Sequence, residues 1–331
     1  MNPDPANQSQ NVPVVDGEAI TGLQHKYTKT ALFFPSQGQT CFSYCTFCFH
    51  WPHGGTSKFR SKERDDLLDY LRSHRHISDV LITGGDPMVM SAELLGHYLR
   101  PLLEPAFEHV KNIRIRTTFL SYWPYRILSD ADEVLRLFEY IINSGKHLAL
   151  MTHFNHPQEM ATTECHQAIQ KLRSIGVVIR TQTPLLKHIN DDPAIWTNLW
   201  EQQVKLGLIP YYMFVLRDAG PRSYFAVPLK RALNIYAAAQ ENLSGLAKSA
   251  RGPVLSASMG KVCIHGIVKL NEEEYVVMRY TQARDSAMTY QPFLAHVDPN
   301  ATWFDQLIPA PGYESFFPVI TTDAGLDMVT L

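Results

Sequence analysis

Six short runs of β-branched and aliphatic residues alternate with segments whose apolar residues recur at helical spacing. This alternation constrains the fold most strongly, because a strand that follows a strand and a helix pairs most simply in parallel with the first. We therefore predict an α/β fold built from parallel βα units. The predicted strands are Ala31–Phe34, Val80–Thr83, Ile113–Thr117, Leu148–Thr152, Val177–Thr181 and Tyr211–Val215.

The predicted helices lie between these strands and repeat apolar residues on one face. Six units fall short of the eight of a closed barrel, so an open six-unit partial barrel and a doubly wound sheet both fit the pattern. In either architecture, functional side chains are expected at the carboxyl ends of the strands. The helical stretches are Asp65–His74, Ala92–Leu103, Ala131–Ile142, Thr163–Ile175 and Ile195–Leu206.

The pattern divides the chain into three parts. Residues 1–30 are predicted to form a polar tail and lead-in, residues 31–230 the α/β body, and residues 231–331 a C-terminal packing segment with short β-like runs. The formal net charge of −2 gives no electrostatic support for binding nucleic acid or membranes. No apolar run approaches the roughly 20 residues that span a bilayer.

Three of the five cysteines, Cys41, Cys45 and Cys48, share one loop after the first predicted strand. The other two, Cys165 and Cys263, stand alone. This usage is typical of metal ligands in a reducing compartment rather than of a disulfide framework, and it predicts a cytoplasmic protein.

The spacing C-x3-C-x2-C offers three thiolates, whereas a [4Fe-4S] cluster normally takes four. One iron would then stay open to a small molecule, which indicates redox chemistry at that iron. A zinc site is the alternative, since His50 and His53 follow the loop and structural zinc usually takes four ligands.

The cysteine loop, with Phe47 before its last cysteine, resembles the cluster-binding loop of the radical S-adenosylmethionine (SAM) superfamily. In that superfamily SAM chelates the open iron, and one electron from the cluster cleaves it to a 5′-deoxyadenosyl radical. The run Gly84, Gly85, Asp86 resembles the superfamily's turn beneath the SAM amine, where glycine lets the backbone approach a ligand closely.

Further segments resemble the lysine 2,3-aminomutase family, in matching order between about His25 and Lys261. The resemblance implies a radical SAM enzyme with a six-unit (β/α) partial barrel and a C-terminal extension, which also uses pyridoxal phosphate (PLP) and acts as an isomerase on an amino acid. The segments are Thr83–Pro87, Thr152–Glu159, Gln182–Leu186 with Asn190 and Asp191, Pro210–Tyr212, and Ser244 and Gly245 with Gly260 and Lys261.

The resemblance also implies roles for individual residues. Lys261 is the lysine that would bind PLP covalently, and Lys26 and Tyr27 would help to hold it. Enzymes of this type need an electron donor such as flavodoxin or ferredoxin, and members usually form at least dimers. Residues carried over as SAM contacts are Gly84, Gly85, Asp86, His153, Asn155 and Gln182.

The chain departs from the family where the substrate is held. The family has an arginine for the substrate carboxylate where this chain has His50, and two aspartates for the distal ammonium where it has Val254 and Arg217. A shift of one residue would restore the second as Asp218. A buried ammonium needs carboxylate partners. We therefore predict an amino acid substrate other than lysine, with His50 and Arg217 as anchors.

Two alternatives stay open at this point. The glycine run before the PLP lysine is reduced to residues 256–260, and Thr30 stands where a phosphate-binding arginine is expected. A PLP-independent radical SAM enzyme that abstracts hydrogen in a biosynthetic rearrangement is therefore the first alternative. A non-catalytic zinc or iron–sulfur binding module is the second.

Overall fold

The computed structural model describes residues 11–48, 63–217 and 221–318. Within these ranges eleven strands form one sheet in chain order from β3 to β13, and β1 and β2 form a separate hairpin. The strands are β1 Val14–Val15, β2 Glu18–Ala19, β3 Leu23–Tyr27, β4 Thr30–Phe33, β5 Asp79–Ile82, β6 Asn112–Thr117, β7 His147–His153, β8 Val178–Leu185, β9 Ile209–Val215, β10 Arg251–Ser256, β11 Gly260–Leu270, β12 Glu273–Ala283 and β13 Pro292–His296.

Strands β4 to β10 pair in parallel, and the flanking strands pair antiparallel. The six strands predicted from sequence are confirmed as β4 to β9. The series continues by one strand, β10, which the sequence pattern did not reveal because Gly252 and Pro253 interrupt it. A side chain at position 252 would lie 2.7 Å from Met213 Cβ, so glycine permits the close approach of β10 to β9.

Helices return the chain from each parallel strand to the next, and they confirm the predicted helical stretches. Shorter helical turns separate some of them. The α-helices are α1 Glu63–Ser73, α2 Ala92–Leu99, α3 Phe119–Tyr122, α4 Tyr125–Leu128, α5 Glu133–Asn143, α6 Thr163–Ser174, α7 Pro193–Lys205, α8 Arg222–Phe225 and α9 Leu229–Glu241. None of the helices in the described ranges is both long and apolar enough to cross a membrane.

The two faces of the sheet differ in polarity. In β6 the residues Ile113, Ile115 and Thr117 are buried and alternate with partly accessible Arg114 and Arg116, as the twofold repeat of a strand requires. The apolar set joins the main hydrophobic core. The arginines face the opposite, concave side, which therefore carries the polar chemistry.

The sheet curves until its outer parts meet. Strand β12 lies against β3, and Lys26 in β3 donates a hydrogen bond to the carbonyl of Ala257, which follows β10. Arg284, just after β12, donates to Asn11 Oδ1 at 2.7 Å. These contacts enclose the concave face and turn it into a cavity.

Candidate active site

The concave face surrounds a cavity of about 240 Å³. Its lining contains most of the residues that the sequence singled out, although they come from distant parts of the chain. His50, His53 and Asp218 lie outside the described residues. The predicted site residues in the lining are Lys26, Tyr27, Cys45, Cys48, His153, Asn155, Gln182, Arg217 and Lys261.

The cysteine loop lies at the carboxyl end of β4, with Cys41, Cys45 and Cys48 half-buried and outside any disulfide. Cys45 Sγ is 3.3 Å from Tyr122 Oη, and the Cys48 amide donates to the Cys45 carbonyl at 3.0 Å. Burial, and after it the charge of Asp86, raises the pKa of the Cys41 thiol to about 11. Among the described residues, no three His, Cys, Asp or Glu side chains are grouped so that they could hold a metal ion.

The glycine turn after β5 supports the start of this loop. A Cβ at Gly85 would lie 2.3 Å from the Gln39 carbonyl oxygen, and Gly84 has a φ of +138° that L side chains rarely adopt. The Asp86 amide donates to the Thr40 carbonyl at 2.7 Å. The two glycines are therefore explained by close packing against the chain directly before Cys41.

The carboxylate of Asp86 is fully buried and engaged with the end of β6. Thr117 Oγ1 donates to Asp86 Oδ1 at 2.7 Å, while the Thr118 amide and hydroxyl donate to Oδ2 at 2.7 and 2.9 Å. Burial raises the pKa of this carboxyl, and the hydrogen bonds oppose that rise. Asp86 therefore holds the turn in place, and neither it nor the two glycines belongs to the described lining of the cavity.

Asp86→Asn should lower the free energy of unfolding by about 2–4 kcal/mol, because an amide group would face buried donors that now meet a carboxylate. Urea unfolding measures the difference. Asp65→Asn is the matched control, since the Asp65 side chain is 57% exposed and should lose at most about 0.5 kcal/mol. Equal losses in the two variants would contradict the anchoring role of Asp86.

His153, the last residue of β7, and Gln182, within the neighbouring β8, form a polar pair. Burial, together with the nearby charge of Arg116, lowers the pKa of His153 well below its ordinary value. The ring is therefore neutral, and its Nε2 accepts a hydrogen bond from Gln182 Nε2 at 2.7 Å. The remaining ring proton is thereby assigned to Nδ1.

Asn155 lies beside this pair and is 4% exposed. Its amide Nδ2 donates to Glu159 Oε1 at 3.1 Å, and Asn190 Nδ2 donates to its carbonyl at 2.9 Å. Its side-chain Oδ1 is buried and has no hydrogen-bond partner within the described structure. A buried acceptor of this kind is costly to leave unpaired, so it indicates a ligand hydroxyl or amine in the cavity.

Lys261 lies near the start of β11, where this strand pairs with the end of β12, and its side chain lines the cavity. A Cβ at Gly260 would lie 2.2 Å from the Gln282 carbonyl oxygen, so this position requires glycine. The register shifts between Lys261 and Val262, and such an irregularity re-aims a side chain. Lys261 Nζ donates to Gln282 Oε1 at 3.0 Å and lies 4.9 Å from the Tyr212 ring centre.

The two lysines of the cavity are poised to lose their protons near neutral pH. Burial, and then the charge of Arg114, lowers the pKa of Lys261 to about 7. Burial, and then the charge of Arg217, lowers the pKa of Lys26 to about 7. A neutral amine is a nucleophile, so Lys261 has the chemistry that covalent capture of a carbonyl requires.

Comparison with known proteins identifies the family. A protein of Aquifex aeolicus (strain VF5) named "Putative L-lysine 2,3-aminomutase" is 34% identical over 294 residues, which are 86% of this chain and 74% of that protein. The L-lysine 2,3-aminomutase of Haemophilus influenzae is 30% identical over 70% of this chain and 65% of its own length. The chain belongs to the lysine 2,3-aminomutase family of radical SAM enzymes.

Two other comparisons add little to this assignment. No protein-family model matches the chain. The solved structure of a radical SAM methyltransferase from Sphaerobacter thermophilus covers 69% of this chain and 66% of its own with 15% identity. Its TM-score of 0.48 is too low to support an argument.

Against this family background, the charge of the cavity stands out. Five basic side chains line it, and its described lining contains no carboxylate. Arg217 Nη2 donates to Ser256 Oγ at 3.0 Å. Val254, which stands at one of the family's aspartate positions, is fully buried in a cluster with Tyr212 and Cys263. The basic residues are Lys26, Arg114, Arg116, Arg217 and Lys261.

Arg114 and Arg116 were not predicted from the sequence. Arg114 Nε donates to Asp79 Oδ1 at 2.7 Å, and Arg116 Nη1 donates to the Gly85 carbonyl at 3.3 Å. The signal was present as charged residues at alternate positions of an otherwise buried run, Ile113 and Ile115. Such a pattern marks a strand whose second face is polar.

Proposed function

We propose that this chain is a radical SAM enzyme that holds a [4Fe-4S] cluster, SAM and PLP, and that moves the amino group between C2 and C3 of an amino acid other than lysine. One observation carries the proposal. A single cavity is lined by Cys45 and Cys48 of the cysteine loop and by the desolvated Lys261, and the Lys and Arg side chains of its described lining have no Asp or Glu among them.

The cysteine loop has the donor set for the cluster, with Cys41, Cys45 and Cys48 as ligands. For SAM, the fit rests on the buried acceptor Asn155 Oδ1 and on the pair formed by His153 and Gln182. The Gly84–Asp86 turn would act on SAM through its support of the loop. When bound, the cluster and SAM supply one-electron chemistry, and PLP supplies an electron-accepting ring.

The cationic part of the cavity suits PLP. A phosphate dianion would be compensated by Lys26 and Arg217, since a lysine near its pKa takes up a proton beside an anion. Tyr27 lies in the same lining, and its ring centre is 5.6 Å from Lys261 Nζ. The residues present therefore fit the group, with Lys261 as the covalent partner.

The same charge argues for a substrate with a neutral or anionic side chain. A second ammonium would meet cations and no described carboxylate, and a buried unpaired ammonium is strongly unfavourable. Arg217 is our proposed anchor for a substrate carboxylate, because guanidinium groups bind carboxylates with two hydrogen bonds. His50 stays a proposed anchor outside the described residues.

PLP incorporation should accelerate with pH and then level off. Because the pKa of Lys261 is about 7, its reactive neutral fraction should rise about fivefold from about pH 6 to about pH 7 and change little above about pH 8. Stopped-flow absorption measures the rate constant. An ordinary lysine would keep accelerating about tenfold per pH unit up to about pH 9, and that result would contradict the desolvated site.

The proposed function is tested by SAM cleavage on a panel of amino acids. The anaerobically reconstituted protein, reduced with dithionite in the presence of PLP, should form 5′-deoxyadenosine or exchange hydrogen with SAM. The reaction should depend on a neutral or acidic amino acid and be weak with L-lysine. Cleavage that is independent of both PLP and amino acid would instead support the PLP-independent alternative.

The two alternative functions, a PLP-independent enzyme and a non-catalytic binding module, predict different observations. A PLP-independent enzyme would leave Lys261 without a role, and a solvent-facing lysine would favour it, whereas this lysine lines the cavity. A binding module without catalysis predicts no SAM cleavage and no electron uptake from dithionite. The aminomutase proposal is therefore the one that uses the polar residues of the lining.

Predictions on the fold, the location and the oligomeric state accompany the proposal. We propose that the curved parallel sheet is a six-unit partial barrel of the radical SAM type, with residues 31–230 as its body and residues 231–331 as the segment that carries Lys261. A cytoplasmic location and a homodimer stay predictions. Size-exclusion chromatography with light scattering would measure the oligomeric state.

A further inference from the structure

A cationic groove lies on the surface just beyond the carboxyl end of β8. Lys187, Arg222 and Arg231 line it, together with one carboxylate, Asp191. Lys187 is exposed, and the Arg231 side chain is 56% exposed. Three basic side chains therefore accompany one carboxylate, and Arg231 Nη2 pairs with Asp191 Oδ2 at 3.0 Å, on a chain whose formal net charge is −2.

A series of aromatic contacts connects this groove to the cysteine loop. The rings of His188 and Tyr224 are 4.9 Å apart, those of Tyr224 and Phe225 4.8 Å, and those of Phe225 and Phe47 6.2 Å. Phe47 directly precedes Cys48, and both line the cavity. Tyr224 is 60% exposed, so the series begins at the surface.

The groove and the aromatic series are held together by the fold. The Lys187 amide donates to the Phe225 carbonyl at 2.8 Å. Phe225 is buried in a small cluster with Leu186 and Leu216, and Phe47 packs against that cluster. A protein bound in the groove would therefore contact a rigid, closely packed connection to the cysteine loop.

We propose that this groove is the docking site of an acidic, flavodoxin-type electron donor. The inference rests on the proposed function, since a radical SAM cluster must receive an electron from outside. One electron leaves the donor's reduced flavin and enters the cluster, and no bond forms or breaks in that step. Opposite charges guide such transient encounters, and electron-transfer interfaces are small, below about 1,200 Å².

The exposed rings favour a flavin carrier over other anionic occupants. Tyr224 and His188 offer two adjacent exposed rings, inclined to each other by 46°, against which the edge of an isoalloxazine ring can pack. Because electron tunnelling weakens steeply with distance, a closely spaced path to Cys48 gives this face an advantage. An inorganic anion or a second copy of the chain would have no need of such a path.

The test is anaerobic stopped-flow reduction of the reconstituted cluster by reduced flavodoxin at low ionic strength. The double variant Lys187→Glu with Arg231→Glu should lower the second-order rate constant about tenfold or more. The control double variant, Lys111→Glu with Lys171→Glu, changes the net charge equally. These two lysines are exposed and lie toward the amino ends of the strands, so the control should stay within about twofold of wild type.

Further measurements distinguish a loss of docking from damage to the protein. Dithionite should reduce the cluster equally fast in every variant, which separates docking from damage to the cluster. Lys187→Glu alone, at an exposed position, should lower the flavodoxin rate about threefold. Carbodiimide cross-linking should join Lys187 to a flavodoxin carboxylate, as detected by mass spectrometry of the linked peptides.

Equal rates in the two double variants would overturn the proposal, as would cross-links confined to Lys111 or Lys171. A wild-type rate that does not fall with added salt would also overturn it. Failure of a different kind is recognisable. If no cluster assembles, or if dithionite cannot reduce it, the proposed function itself fails before any donor is added.

Discussion

Lys261→Ala should abolish the visible absorption of protein-bound PLP and lower amino-acid turnover by roughly a thousandfold or more. The variant removes the amine that the irregular start of β11 brings to 3.0 Å from Gln282 Oε1. The iron–sulfur absorption should be unchanged, because Cys41, Cys45 and Cys48 lie on a separate loop. Anaerobic absorption spectra of both proteins, reconstituted with iron, sulfide and PLP, measure the effect.

Lys269→Ala is the matched control for this experiment. Lys269 lies on the same strand, but its side chain is 58% exposed and pairs with Glu272 at the surface. Its spectrum and turnover should match those of the wild type. If the alanine variant at position 261 bound PLP with an unchanged spectrum, the assignment of this lysine would be wrong.

Cys45→Ala should remove the cluster and with it all SAM cleavage. A loop with two thiolates offers only half of the ligands that a [4Fe-4S] cluster normally takes. Iron content should fall from about four per chain to well below one, and 5′-deoxyadenosine should be undetectable. We expect the same from Cys41→Ala and Cys48→Ala, measured by iron analysis and chromatography.

Cys165→Ala serves as the control because Cys165 is a fully buried thiol in α6 and is not part of the cysteine loop. Its loss should cost stability by about 1 kcal/mol and leave the iron content unchanged. An unchanged iron content in all three loop variants would rule out the proposed ligand set. Zinc in place of iron in the wild-type protein, with no SAM cleavage, would instead favour the zinc-binding module.

The parallel body of the fold was predictable because its strands alternate with amphipathic helices. Strand β10 was missed because Gly252 and Pro253 resemble a break, and only the packing of Gly252 against Met213 shows why they fit a strand. Close approach between chain segments is a tertiary property. A linear pattern does not reveal it.

The site was predicted only in part, again because a linear pattern does not reveal contacts between distant segments. His153, Asn155 and Gln182 follow strands in the sequence, so their meeting at one edge of the sheet could be expected. The pairing of Asp86 with Thr117 and Thr118 could not, since it depends on how β5 and β6 end side by side. A motif can show that a residue matters without showing what it contacts.

The charge of the cavity is the feature that the sequence predicted least well. The replacement of one family aspartate by Val254 was visible, and it suggested a substrate other than lysine. The convergence of Arg114 and Arg116 with Arg217 was not, because it requires the curvature of the sheet. That convergence supports our proposal for the substrate more strongly than any single substitution does.

The most direct test of the account is product analysis from an amino acid mixture. The reconstituted enzyme, with SAM, PLP and a reductant, should be given the common amino acids together, each ¹⁵N-labelled at its α-amino group. We predict a labelled β-amino acid from a neutral or acidic member, formed with a higher kcat/KM than β-lysine. Preferential formation of β-lysine, or 5′-deoxyadenosine without any β-amino acid, would contradict the account.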